Sequence, residues 1–132
     1  STQGVSSAAS DVYKRQQYVE DCDTELFFVT LNKSDKDFSP TTQYDDYFIS
    51  ADRFHWQSQN RDSHGNRGDR YVHNNGRRFM LFVRENKRDG FGNTSPYYCM
   101  GMLDYLDSYG DFPMNIRWQL EQPALPQFIK AV

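Results

Sequence analysis

The chain has 132 residues, a net charge of −3, 37% hydrophobic and 16% aromatic side chains. That is one domain around one core, too short for a nucleotide-driven motor or a two-domain enzyme, and no apolar run approaches the ~18–20 residues that span a bilayer. Cys22 and Cys99 are the only cysteines, so neither a disulfide framework nor a four-cysteine zinc site is expected; with no secretory leader, two separate thiols in a reducing, bacterial cytoplasm are.

Residues 1–17 are small, polar and aperiodic, and are read as a disordered leader. Within them Asp11-Val12-Tyr13-Lys14-Arg15-Gln16 resembles the translation of a transposon end used in preparing sequencing libraries. The stretch is therefore set aside as an artefact, with the domain spanning 18–132. Glu25 to Leu31 is a short apolar run of β-formers and predicts a buried strand. Asn32 to Thr42 reads as a loop, and Asp46 to Ser50 as a second strand. In Arg53 to Ser58 alternation puts Phe54, Trp56 and Ser58 on one face and His55 and Gln57 on the other. Residues 60–68 form a turn-rich loop, and Arg70 to His73 a short strand closed by Asn74-Asn75-Gly76. Arg78 to Arg84 is the clearest strand, its continuous apolar interior predicting burial on both faces. Residues 85–96 form a hairpin loop, Tyr97 to Tyr109 a strand and Met114 to Leu120 an alternating strand; Pro123 opens a short tail. Six or seven short strands without an amphipathic helix predict a mainly β fold, a small barrel or sandwich, with α+β as the alternative.

Charge is unevenly distributed. Residues 53–90 carry nine basic and four acidic side chains, net +5, against −8 for the rest. That is a candidate phosphate footprint, with Arg61, Arg67, Arg70, Arg77 and Arg78 as the contacts. The densest mixture of rings, acids and amides is Tyr44-Asp45-Asp46-Tyr47 followed by Phe54-His55-Trp56-Gln57-Ser58-Gln59-Asn60. A pocket for an extruded base needs flat faces to sandwich the ring and fixed polar groups to read its edge, and this cluster supplies both residue types. The competing reading of each residue alone is packing: Phe54 and Trp56 in the core, Asp45 or Asp46 capping a turn.

Other chemistries are weaker. Asp69, Glu85 and Lys87 resemble a Mg²⁺ nuclease triplet, but three-residue patterns are common and the flanking helices are missing. His55, His64 and His73 lack the local pairing that zinc requires. Ser/His/Asp hydrolysis has its residue types but no nucleophile elbow, and Gly65-Asn66-Arg67-Gly68 lacks the ending of a phosphate loop. No catalysis, metal or cofactor is therefore expected.

Several strings carry a family resemblance. They are Leu31-Asn32-Lys33-Ser34, Tyr44-x-Asp46-Tyr47-x-Ile49-Ser50, Phe54-His55-Trp56-Gln57-Ser58-Gln59 and Leu81-Phe82-Val83-Arg84. Tyr97-x-x-x-Gly101 and Pro113-Met114-x-Ile116-x-Trp118-x-Leu120 belong with them. Over residues 25–130 the chain resembles a domain of formerly unknown function at the C-terminus of helicase-type, modification-dependent bacterial restriction enzymes. The resemblance implies a single-domain, curved, barrel-like sheet of the PUA/SRA type. It implies a non-catalytic reader of modified DNA, with preference for 5-methylcytosine or 5-hydroxymethylcytosine, that serves helicase and nuclease partners in phage defence. The modified base would be flipped into a pocket of Tyr44, Asp46, Tyr47, Phe54, His55, Trp56, Gln57, Ser58 and Gln59. The related Tyr-Asp-Gly strand entry is matched here without its glycine, and the family pattern points to Asp46 as the reading carboxylate. Two alternatives remain open, the Asp69/Glu85/Lys87 nuclease and a structural module that docks a helicase.

Overall fold

The computed structural model describes residues 15–33 and 44–130. In chain order the elements are β1 (Gln16–Val19), a 3₁₀ turn (Glu20–Cys22), β2 (Thr24–Asn32), β3 (Tyr47–Ser50), β4 (Arg53–Gln57) and a 3₁₀ helix (Arg67–Tyr71). There follow β5 (Arg78–Asn86), β6 (Tyr98–Tyr109), β7 (Asn115–Leu120) and α1 (Pro126–Lys130). The strands form one open sheet in the order β1-β2-β5-β6-β7-β4-β3. The domain is mainly β, as its alternation and turn chemistry predict.

β2 and β5 are the parallel pair, in register from Thr24↔Arg78 to Asn32↔Asn86; the other neighbouring strands run antiparallel. Phe27, Val29, Leu81 and Val83 are buried in the core. Phe28 and Phe82 stack on the opposite face at 5.4 Å, with Tyr97 edge-on to Phe28 at 5.3 Å. The Arg84 guanidinium lies 4.3 Å over the Tyr97 ring and donates to Thr30 Oγ1 at 2.8 Å. Both faces of the pair are thus covered, which is why neither strand alternates.

The sheet curls strongly. Phe27 of β2 stacks on Trp56 of β4 at 4.1 Å and 10°, although four strand steps separate them in the sheet. Tyr71, Phe79 and Trp118 close around Phe27 at 5.6–6.0 Å. β6 accommodates the curl with two register shifts; Gly101 sits at the first with φ +86°, backbone that side-chain-bearing residues rarely adopt.

Three sequence expectations are corrected. Arg15 to Gln17 belong to the fold: Phe28 donates its N–H to Arg15 O at 2.7 Å, and Gln16 and Gln17 pair with Phe27 and Leu26. The rest of the presumed leader, 1–14, lies outside the described residues, as does 34–43 of the expected loop. Arg70 to His73 is not a strand: Arg70 and Tyr71 end the 3₁₀ helix, and Val72 and His73 form the turn that follows it. Tyr71 and Val72 score as β-formers, yet local capping wins: Asn66 Oδ1 accepts from Ser63 N and Gly68 N, both at 2.9 Å. The tail after Pro123 turns into α1, with Pro126 at its first position. Its Phe128 packs against Phe48 and Tyr98 at 6.2 and 5.7 Å.

Gly68 is held where a Cβ would lie 2.6 Å from both Met114 Sδ and Ser63 O. Gly68→Ala is expected to lower stability by about 1–3 kcal/mol through overpacking. Gly90→Ala, where no atom lies within 4 Å, is expected to stay within about 0.5 kcal/mol of the parent; urea unfolding of both checks the pair.

Candidate nucleic-acid interface

Alternation in β4 divides the predicted pocket in two. Phe54 and Trp56 point into the core and are fully buried. Their neighbours are Phe48 at 4.8 Å and Phe27 at 4.1 Å. Ser58 is buried too: its hydroxyl accepts from Met114 N at 2.9 Å and donates to Gln59 O at 3.1 Å. Gln59 is half-buried beside it. The structure therefore does not bring Phe54, Trp56 and Ser58 to an open pocket; their side chains join β4 to the core.

Asp46 is likewise enclosed. Its Oδ2 accepts from Arg15 Nη2 at 2.9 Å and Lys33 Nζ at 3.2 Å, and Oδ1 from Gln57 N at 2.9 Å. Arg15 also donates to Gln57 O at 2.8 Å, and its guanidinium lies 3.8 Å over the Tyr44 ring. The Tyr44 hydroxyl accepts from Asn60 N at 3.2 Å. Burial alone would raise the Asp46 carboxyl, but the charges of Arg15 and Lys33 and the Gln57 N–H outweigh it. The group is held below its ordinary 3.8. With both oxygens engaged, Asp46 pins the β3 entry to β4 instead of facing a base edge. Asp45 is the exposed member of the pair, its N–H donating to Gln57 Oε1 at 2.6 Å.

The other side of β4 is open. Register aligns Tyr47, His55, Arg117 and Asp107 in one row across β3, β4, β7 and β6. Gln57, Asn115 and Tyr109 form the next row. Tyr47 stacks on His55 at 4.7 Å and 20°, and the Tyr109 ring lies 6.4 Å from it. Tyr109 is exposed, whereas His55 is buried. His55 Nδ1 is 2.7 Å from Asp45 O, which assigns Nδ1 the proton. Nε2 is buried without a hydrogen-bond partner among the described residues. Arg117 is paired with Asp107, and Gln57 Nε2 donates to Asn115 Oδ1 at 3.0 Å. Of the predicted pocket, Tyr47, His55 and Gln57 share this face. Tyr109, Asn115 and Arg117 join it unpredicted: the alternation of 115–120 hints at the last two, but only register shows that they meet His55.

The predicted phosphate contacts also separate. Arg70 grips the buried Glu25 at 2.8 and 3.0 Å, and Arg77 bonds Asp23 and Glu25 at 3.2 Å each. A carboxylate taken out of water requires such partners, so these two arginines are structural. Arg61, Arg67 and Arg78 are exposed and have no carboxylate partner among the described residues. Arg61 and Arg67 flank a loop tied by Asn66, whose Nδ2 donates to Arg61 O at 2.9 Å. Of the alternative nuclease triplet, Asp69, Glu85 and Lys87 are each half-buried. Asp69 bonds His73 at 2.9 Å, and among the described residues no three His, Cys, Asp or Glu side chains are grouped to hold a metal. Cys22 and Cys99 are separate, exposed thiols. No helix of the described residues is long and apolar enough to cross a membrane.

A family described as "Domain of unknown function (DUF3427)" matches residues 10–129. No curated protein matches the chain.

Asp46→Asn keeps the shape but leaves Arg15 and Lys33 without their carboxylate, so a loss of about 3–5 kcal/mol is expected at neutral pH. Because the folded-state value is lowered, the Asp46 contribution is fully present above 3.8 and is lost as pH falls through the folded value. Urea midpoints from pH 7 down to pH 3 are expected to fall for the parent and to show a shallower acid limb for the variant.

Proposed function

We propose that this chain, which belongs to the DUF3427 family, is a DNA-binding domain that recognises a modified base and targets a helicase–nuclease restriction system to it. The base is 5-methylcytosine or 5-hydroxymethylcytosine, turned out of the duplex. The observation that carries this reading is the fate of the arginines. In a chain of net charge −3, Arg15, Arg70, Arg77 and Arg117 are engaged by carboxylates. Arg61, Arg67 and Arg78 are left exposed, two of them on a loop braced by Asn66. Guanidinium groups presented from a braced loop contact phosphates with little ordering cost.

Base contact falls to the open face of β3-β4-β7-β6. Tyr47 and Tyr109 supply ring faces, and stacking is worth about 1–3 kcal/mol per base, enough to offset the few kcal/mol of unstacking. The half-buried Gln57 and Asn115 amides suit the polar edge of a cytosine, and the buried His55 carries the stacked Tyr47 of β3. Asp46, Phe54 and Trp56 act from behind, holding β4 in place. A buried methyl contributes only about 0.8 kcal/mol, so selectivity for methylcytosine over cytosine is expected to be near fourfold.

Fluorescence anisotropy on otherwise identical duplexes, each with one modified base or none, tests the reading. One modification is expected to bind more tightly than the unmodified duplex. Tyr109→Ala should abolish that preference, whereas Arg61→Ala and Arg67→Ala should weaken all duplexes alike and reduce the salt slope by about 0.9 each. Equal affinity for every duplex would overturn base recognition, and absence of binding would overturn the DNA reading altogether.

A further inference from the structure

The loop that follows β4 and the turn that follows β6 meet at a chain of hydrogen bonds apart from the Tyr47–His55 face. Ser108 Oγ lies 2.7 Å from His64 Nε2, and His64 Nδ1 lies 2.8 Å from Asp111 Oδ1. The same Asp111 oxygen accepts the His64 backbone N–H at 2.7 Å. The Tyr105 hydroxyl is 2.7 Å from Ser108 Oγ on its other side. We infer that Ser108, His64 and Asp111 form a nucleophilic serine site that hydrolyses small carboxylic esters, with the Tyr105 hydroxyl as the donor to the oxyanion. The inference does not rest on the DNA-binding reading.

Direction in the chain follows from the groups themselves. A carboxylate only accepts, so His64 Nδ1 carries a proton, and in the neutral ring Nε2 is left to accept from the Ser108 hydroxyl. Tyr105 then donates to the remaining lone pair of Oγ. The backbone N–H and ring of His64 hold the Asp111 carboxyl below its ordinary value, keeping it charged. This is the logic of base and orienting acid that activates a serine, recognised by geometry and not by position in sequence. The partners are fixed in place: Phe112 N donates to Asp62 O at 2.9 Å, joining turn to loop, and Asn66 and Gly68 brace the loop itself. They are also reachable, the His64 side chain being 37% exposed and Ser108 half-buried.

In the first half-reaction Ser108 Oγ bonds to the ester carbonyl carbon, and its proton passes to His64 Nε2. The carbonyl π pair moves onto oxygen, where the Tyr105 hydroxyl donates to it. The pair returns, the bond to the alkoxy oxygen breaks, and Nε2 protonates the departing alcohol. Water repeats the sequence on the acyl-serine, with Nε2 taking its proton and returning one to Ser108 Oγ; the acid is released. Ser108, His64 and Tyr105 touch the reacting atoms, and Asp111 is a positioning residue. With His64 partly exposed and Ser108 half-buried, the site admits a small acyl group.

The test uses the 132-residue chain with a fluorophosphonate probe, peptide mapping of the modified serine, and hydrolysis of p-nitrophenyl acetate. Labelling is expected at Ser108, lost in Ser108→Ala and slowed about 100-fold or more in His64→Gln. Tyr105→Phe should lower hydrolysis more than it lowers thermal stability. Asp111→Asn should change the pH profile of labelling, with partial recovery in Asp111→Glu. A folded parent chain that is not labelled at Ser108 overturns the inference, whatever the variants do. Labelling that is unchanged in a folded His64→Gln chain overturns it equally.

Discussion

The contact between Phe27 and Trp56, 4.1 Å apart and nearly coplanar, is the constraint from which the rest of the molecule follows. The two rings belong to strands that lie four steps apart in one sheet. They meet only because the sheet rolls over on itself until its two halves face each other. The polar composition makes this necessary. With 37% hydrophobic residues, a small domain needs large rings to exclude enough water, each burying about 150–250 Å². Tyr71, Phe79 and Trp118 complete the cluster edge-on or tilted, arrangements that add about 0.5–1.5 kcal/mol per pair beyond burial.

Rolling the sheet brings its edges together without closing it. β1 and β3 are the edge strands, yet Arg15, just before β1, reaches Asp46 before β3 and the Gln57 carbonyl of β4. A side chain spans the seam where backbone pairing would close a barrel. Two buried acids are each met by two cations, Asp46 by Arg15 and Lys33 and Glu25 by Arg70 and Arg77. Part of the basic segment is thus engaged inside the structure, while Arg61, Arg67 and Arg78 stay exposed. The same seam orients β4, so that its outer residues His55 and Gln57 stand beside β7.

Sequence patterns with a local cause were legible. β2 to β7 appear where period-2 alternation or continuous apolar runs put them, because side-chain direction in a strand depends on chain geometry alone; β1 does not, being defined by its pairing with β2. Alternation through Phe54-His55-Trp56-Gln57 also warned that these residues divide between two faces. The failures have local competitors or distant partners. The 3₁₀ helix at Arg67–Tyr71 follows from the Asn66 cap and the tight seat of Gly68, against the β-propensity of Tyr71 and Val72. Phe128 looks like a tail residue until Phe48 and Tyr98 are placed beside it.

Composition and pattern by themselves determined a mainly β fold, the strands β2 to β7 and a basic segment within an acidic chain. Those properties depend on neighbours a few residues away. The tertiary structure decided which arginines are left for solvent, which face of β4 is open, and that Asp46 is an internal counter-charge. It also decided that His64, Ser108 and Asp111, up to 47 residues apart, stand within hydrogen-bond reach. Charge pairing and strand register join residues distant in the chain, and their free energies are set by burial and distance, which a sequence does not contain.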